Sequence, residues 1–498
     1  MKSRFCIFAI ALVFLTSCAN VRNPVTGQYE RTVMDERSEL QSGQKAHQDV
    51  LKEYRALENP SLQSYVNSVG QKLAKASHRG TLEWHFTVLD SPEVNAFALP
   101  GGYVYITRGI LAYLGDEAEL AGVLGHEIGH VTARHASQRA TRQQAAGVGV
   151  LLANVLGAVL ESKGYGGAGD LTNQVSQITA AGYIASYSRE QESQADQLGA
   201  EYITRNHYDS ARMIDVIRVL KNQEQFTADT ARSEGRTAPP RTDWLASHPS
   251  NDKRLADIRQ TALLHQEPKA ENGRERYLKA IDGILFGESR EEGVVRGQQF
   301  FHEPMGFALT APTGWRIKNT SEALIMTNGA GDAALIMRTV PAEAGTTHTD
   351  MLRTIFNPIN GRTAQTTING FAATTFVGTA RVKDGAQEAA QQVDATLVTG
   401  PEKHTYLFLH AAKSADALRR ERETLLAAEK TFRAISDKDR PLARPWRVRL
   451  TAMPQGGFAQ LVKRSSTTLP HSEAQLRLMN GAYPDGVVKA GTQVKIVE

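Results

Sequence analysis

Five consecutive residues, His126-Glu127-Ile128-Gly129-His130, constrain the fold more than any other stretch of the chain. On an α-helix four residues turn by about 400°, so His126 and His130 stand one turn apart on one face. Asp116 fits an N-cap, with Glu119 three residues on, and the pattern predicts a helix through about Arg139. Two neutral imidazoles so placed can grip one ion at about 2.0–2.1 Å, and zinc suits such donors. Glu127 is rotated off the ligand line yet close to the open coordination position. A carboxylate there can take a proton from metal-bound water and pass it to a leaving amine. Gly129 in a helix interior costs about 1 kcal/mol relative to alanine, which close packing beside a metal site would explain.

A catalytic zinc takes three protein ligands and leaves the fourth position open. The candidate third ligand lies in Ser188-Arg189-Glu190-Gln191-Glu192-Ser193-Gln194-Ala195-Asp196, where Glu192 and Asp196 share a helix face. A ligating histidine usually donates its other N–H to a carboxylate. Glu192 on the metal and Asp196 on a ligand histidine satisfy both needs, while Glu190 falls on another, solvated face. One Zn2+ per chain is the expected cofactor.

These pieces, with Asn95-Ala96-Phe97-Ala98-Leu99-Pro100-Gly101-Gly102 and Ser247-His248-Pro249, occur in an order that resembles the membrane-associated gluzincin peptidases. That family includes the HtpX and CAAX prenyl protease types, and the periplasmic lipoprotein branch serving β-barrel assembly is the nearest in pattern. The resemblance spans about residues 31 to 265 and assigns the metal to His126, His130 and Glu192 and the base to Glu127. It implies that the strand from Phe97 to Tyr103, with Asn95, Ala96, Gly101 and Gly102 around it, is the edge against which a substrate lies extended. It also places His248 near the metal as a catalytic residue, either stabilising the oxyanion or plugging the open position at rest. His135 is about 140° from the ligand face and reads as structural.

The first eighteen residues read as a targeting segment. Lys2 and Arg4 precede an apolar run of 11 residues, Phe5 to Leu15, too short to span a bilayer. Leu15-Thr16-Ser17-Cys18 resembles a lipobox, which implies lipidation of Cys18 and a membrane-held N-terminus; an ordinary signal peptide is the alternative. Ala19 after the cysteine favours the periplasmic face of the outer membrane. Cys6, the other cysteine, falls in the cleaved segment, so no disulfide is expected. Residues 145 to 160 form 16 positions without a charge, read as a mobile lid because a membrane helix needs about 20 residues.

At 498 residues the chain should hold more than one domain. The expected organisation is a lipoprotein signal peptide at 1–18, a tether at 19–30, the zinc metallopeptidase domain at 31–265 and a connector at 266–297. An accessory domain at 298–436 and a small C-terminal module at 437–498 complete it. The expected fold class is α+β: a mainly helical zincin-type metalloprotease domain with a small edge-strand sheet, an α/β sandwich-like domain, then the small module. Gly306-Phe307 to Trp315 resembles the start of a PsbP/Mog-type sandwich, and Leu476 to Ile496 is similar to the second half of a LysM glycan-binding unit. Asn328-Gly329 and Asn369-Gly370 mark hairpin turns, and Ala415 to Ile435 reads as a long helix.

The function these features imply is zinc-dependent hydrolysis of peptide bonds in misfolded or stalled envelope proteins. Peptidoglycan or the outer-membrane assembly machinery would be further partners. The rival is an envelope-binding lipoprotein with a chaperone-like or wall-binding role and a gated or secondary protease site. A net charge of +4 without a recurring basic block gives no reason to expect nucleic acid.

Overall fold

The computed structural model describes every residue except 1–18, 146–186, 236–243, 245–247, 249–251, 265–269, 321, 385–386 and 467. The described residues form two compact units, one built from residues up to 145, 187–286 and 447–498, the other from 287–446. Cys18 and nearly all of the apolar stretch 145 to 160 lie outside the described residues.

The first unit begins with strand β1 (Ala19–Arg22) paired antiparallel to β2 (Tyr29–Thr32). Asn23 closes the turn by accepting from the backbone N–H groups of Val25 and Thr26. Its side-chain amide also donates to the Ala133 carbonyl, and Thr32 meets Ser137 at 2.6 Å. Residues 19–30, expected as a tether, therefore belong to the folded body. Two helices follow, Glu36–Glu53 capped by Asp35 and Pro60–Lys75 capped by Asn59 with proline in its first turn. A three-stranded sheet comes next: β3 (His85–Leu89), β4 (Ala96–Leu99) and β5 (Tyr103–Thr107), in the order β3-β5-β4. β5 is parallel to β3 and antiparallel to β4, which makes β4 an edge strand. In the turn between β4 and β5, Gly102 has φ +93°, and a Cβ there would stand 2.5 Å from the Glu83 carbonyl oxygen, so only glycine fits.

The motif helix runs Glu117–Thr132, with Asp116 accepting from the Glu119 N–H as its cap. It stops well short of Arg139. Arg134 adopts φ +59°, a left-handed conformation that ends helices. Its guanidinium is buried, paired with Glu39 at 2.9 Å and donating to the Met34 carbonyl. A second helix, His135–Ala145, begins directly after Arg134. The acid helix, Arg189–Arg205, opens with a Ser188–Gln191 capping box and packs against the motif helix. A Cβ on Gly129 would lie 2.9 Å from the Ala195 carbonyl oxygen, and one on Gly199 would lie 3.0 Å from the His126 nitrogen. Glycine is what lets the two helix backbones touch.

Two boundaries differ from the expected ones. Within 266–297, helix Arg274–Ile281 buries Tyr277, Leu278 and Ile281, and the Tyr277 hydroxyl donates to the Leu111 carbonyl at 2.6 Å. That segment is part of the first unit, not a connector. At the other end, strands Trp446–Ala452 and Gln493–Val497 pair with each other, and Leu285–Phe286 joins them. The buried Lys495 ammonium donates to the Leu114 carbonyl, and Gln475 donates to the Tyr113 hydroxyl. Residues 447–498 thus close the first unit and do not stand as a separate module.

The second unit is built on a seven-stranded antiparallel sheet. Its order is Arg316–Asn319, Leu324–Thr327, Ala333–Thr339, Thr405–Ala412, Gln387–Thr399, Phe371–Asp384 and Pro358–Ile368. Asn369 and Gly370, at φ +48° and +87°, make the two-residue hairpin turn their sequence announces. Helix Ala415–Glu429 covers the sheet with Leu425 and Ala428 in the core. Its Glu429 accepts from His410 at 2.6 Å and from Thr396 at 3.0 Å, while Asp394 lies 3.6 Å from the other ring nitrogen. Burial alone would depress His410, but its bonds and attraction to Asp394 and Glu429 outweigh it and raise the pKa from 6.5 to about 9. A raised folded-state pKa gives stability that is full below 6.5 and lost as pH climbs through about 9. Protection factors of the amides in strand Thr405–Ala412, which correct for the intrinsic rise of exchange with pH, should therefore fall across that window, and His410→Asn should flatten that fall.

Candidate metal centre

Three buried donors converge where the motif and acid helices cross. His126 Nε2 lies 3.0 Å from His130 Nε2 and 3.6 Å from Glu192 Oε2, and His130 Nε2 lies 3.5 Å from Glu192 Oε1. A tetrahedral ion with bonds of 2.0–2.1 Å needs donors roughly 3.3 Å apart, so the three side chains span one face of such a site. His248 supplies a fourth corner, its Nδ1 being 3.2 Å from His126 Nε2 and 3.0 Å from Glu192 Oε1. All four residues are buried, and their donor atoms lie within 4.8 Å of one another. The donor set fits a metal ion.

Hydrogen bonds behind the donors fix which nitrogens are bare. Asp196 Oδ1 accepts from His126 Nδ1 at 2.8 Å, which leaves His126 Nε2 its lone pair. On the other histidine the chain is longer. Gln194 Oε1 can only accept, so His135 Nε2 donates to it at 2.9 Å and His135 Nδ1 is the acceptor. Burial holds the His135 pKa down at about 4, which keeps that ring neutral. His130 Nδ1 must then donate to His135 across 2.9 Å, and His130 Nε2 is bare. Tyr187 stacks on the His130 ring at 4.0 Å, with Arg139 over the tyrosine at 5.2 Å.

The side chain of Glu127 points into the same chamber. Its Oε1 accepts from the Trp244 indole N–H at 3.1 Å and lies 3.5 Å from His248 Nε2. Its Oε2 is buried and has no hydrogen-bond partner among the described residues. Of the sequence candidates, His126, His130, Glu192, Asp196, Glu127 and His248 come together here. Ala96 and Phe97 lie in β4, which packs beside the motif helix, Asn95 directly precedes it, and Gly101 and Gly102 form the turn after it. A crevice of about 10 Å³ runs between Leu99 and Pro100 on one side and His130 and Tyr187 on the other. Sequence reasoning missed Trp244, Tyr187 and the contact of His135. Trp244 carried one usable signal, its place four residues before His248.

Because Glu192 faces the donors and Glu190 is exposed, the two acids should separate cleanly. Glu192→Ala is expected to lower metal content at limiting metal, and Glu190→Ala to leave it unchanged. Equal retention in both, measured by elemental analysis, would remove Glu192 from the ligand set.

Residues 60–262 match the family model described as Peptidase family M48. The chain carries a peptidase family M48 domain. That M48 domain holds every residue of the site just described. Over 208 residues it is 31% identical to the Beta-barrel assembly-enhancing protease of Escherichia coli K12, covering 41% of this chain and 40% of that one. The Yersinia pestis protein of the same name is 30% identical over 204 residues, with the same coverage. The mitochondrial metalloendopeptidase OMA1 of Schizosaccharomyces pombe is 30% identical over 224 residues, 44% of this chain and 60% of that one. The chain therefore matches about two-fifths of the length of its bacterial relatives. Among solved structures, a cyanobacterial PsbP from Synechocystis aligns over 30% of this chain and 98% of its own, at 17% identity and a TM-score of 0.21. Among the described residues no helix is long and apolar enough to cross a membrane.

Proposed function

We propose that the chain is a zinc-dependent endopeptidase of the bacterial cell envelope, acting on misfolded or stalled envelope proteins. The observation that carries this reading is the convergence of His126, His130 and Glu192 beside a carboxylate, Glu127, with one buried oxygen that has no hydrogen-bond partner among the described residues. His126, His130 and Glu192 would hold the zinc, which when bound polarises a peptide carbonyl and acidifies a water. Glu127 Oε2 takes the proton of the attacking water and delivers it to the leaving nitrogen. Edge strand β4 supplies backbone groups for an extended substrate to pair with. The names of the bacterial relatives support envelope proteins as the substrate class. Zinc content and casein cleavage by the purified chain, with and without chelator, test the reading; cleavage that survives complete zinc removal would overturn it.

The proposed location is the periplasmic face of the outer membrane, held through a lipid on Cys18. Incorporation of labelled fatty acid that persists in Cys18→Ser would refute that anchor. Residues 298–436 are read as a binding or positioning domain, and the LysM-like reading of the C-terminal residues 437–498 is tested by retention of the full chain on purified cell wall; no retention would remove it.

His248 is proposed as a resting-state plug, because its Nδ1 occupies the corner that water and substrate need. Its removal in His248→Ala should raise basal proteolysis with zinc content retained. A loss of roughly 10²–10³ in turnover would instead assign His248 to the oxyanion.

A further inference from the structure

We propose that Trp244 is a positioning residue for the base, holding Glu127 so that Oε2 is the oxygen presented to the attacking water. The inference rests on the reading of Glu127 as that base. A glutamate carboxylate turns about a broad, roughly two-fold terminal torsion, so in an open chamber its plane would be loosely held. The Trp244 indole can only donate, and it donates to Oε1 at 3.1 Å, leaving Oε2 buried with no hydrogen-bond partner among the described residues.

The indole is itself held on three sides. It is 1% exposed. Its backbone N–H donates to the Val94 carbonyl at 3.0 Å, just before β4. Its ring stacks on His248 at 4.5 Å and 25°, and meets the His126 ring edge-on at 5.0 Å. A donor fixed in this way holds the carboxylate plane in one orientation, with its second oxygen turned away from the indole. Phenylalanine would fill much of the same space and stack on His248, but would offer no N–H. What Trp244 adds is a directed hydrogen bond to a charged acceptor, the stronger class of such bonds.

The test uses the full chain with Trp244 replaced by benzothienylalanine, which puts sulfur where the N–H was and keeps the bicyclic shape. Trp244→Phe is the genetically encoded companion. The expected result in both is unchanged zinc content and KM with kcat lower by roughly tenfold to a hundredfold, the size of one hydrogen bond to a charged group. A kcat within twofold of the parent chain in the benzothienyl variant would overturn the proposal. So would a kcat loss that tracks loss of zinc, since that is what a merely structural tryptophan predicts. Glu127→Gln, measured alongside, separates the two ideas: if it keeps full activity, the base reading itself falls whatever the Trp244 variants do.

Discussion

Glu127→Gln should keep its metal and lose peptide hydrolysis by roughly 10²–10⁴-fold, the range a positioned general base contributes. Neither histidine changes, and the amide is nearly isosteric, so the bond from Trp244 to the side-chain oxygen survives. What disappears is an uncommitted oxygen able to accept a proton, because the position of Oε2 would hold an NH₂ group that only donates. Metal content by elemental analysis and casein turnover check the two halves separately. Loss of metal would show that Glu127 supports the ligands; full turnover would remove it from the mechanism.

Gly129→Val should be the most disruptive substitution outside the donors. The first side-chain carbon would stand 2.9 Å from the Ala195 carbonyl oxygen and 3.1 Å from its Cα, both backbone atoms that cannot swing aside. Glu192 and Asp196 flank Ala195 on the acid helix, whereas His126 and His130 flank Gly129 on the motif helix. Relief of the clash must therefore push the third donor away from the first two. The expected cost is about 1–3 kcal/mol from overpacking, with a further loss of metal because the edges of the tetrahedron lengthen. Thermal unfolding with and without chelator measures both. A variant that keeps parental stability and parental metal content would show that the helices yield without moving the site.

The site was largely legible because its signals are local in sequence. The spacing of His126 and His130, and of Glu192 and Asp196, is a helix-face argument, and Asp116 and Ser188 announce the two helices that carry them. Gly129 pointed to close packing for the same reason. What was not legible depends on contacts between distant segments. No glycine or proline marks the end of the motif helix; Arg134 is held in its left-handed conformation by Glu39, 95 positions earlier in the chain. That bend is what turns His135 back onto His130, so a straight-helix projection could only place it off the ligand face. Trp244 likewise gains its role from a partner 117 residues away. The tether expected at 19–30 and the separate module expected at 437–498 were not legible as parts of the first unit because their docking partners, Ala133 and Leu114 among them, lie far away in sequence.

The early hairpin has a consequence for reach. Ten residues of flexible chain would let a body wander by roughly 18 Å from its point of attachment. Here β1 starts at Ala19, directly after the proposed anchor, and Asn23 is already fastened to Ala133. With a lipid on Cys18, as proposed, such a body would have no leash. If its attachment is a lipid, the catalytic chamber sits at a set height above the bilayer, and its hunting ground is the thin layer of polypeptide emerging from or entering that surface.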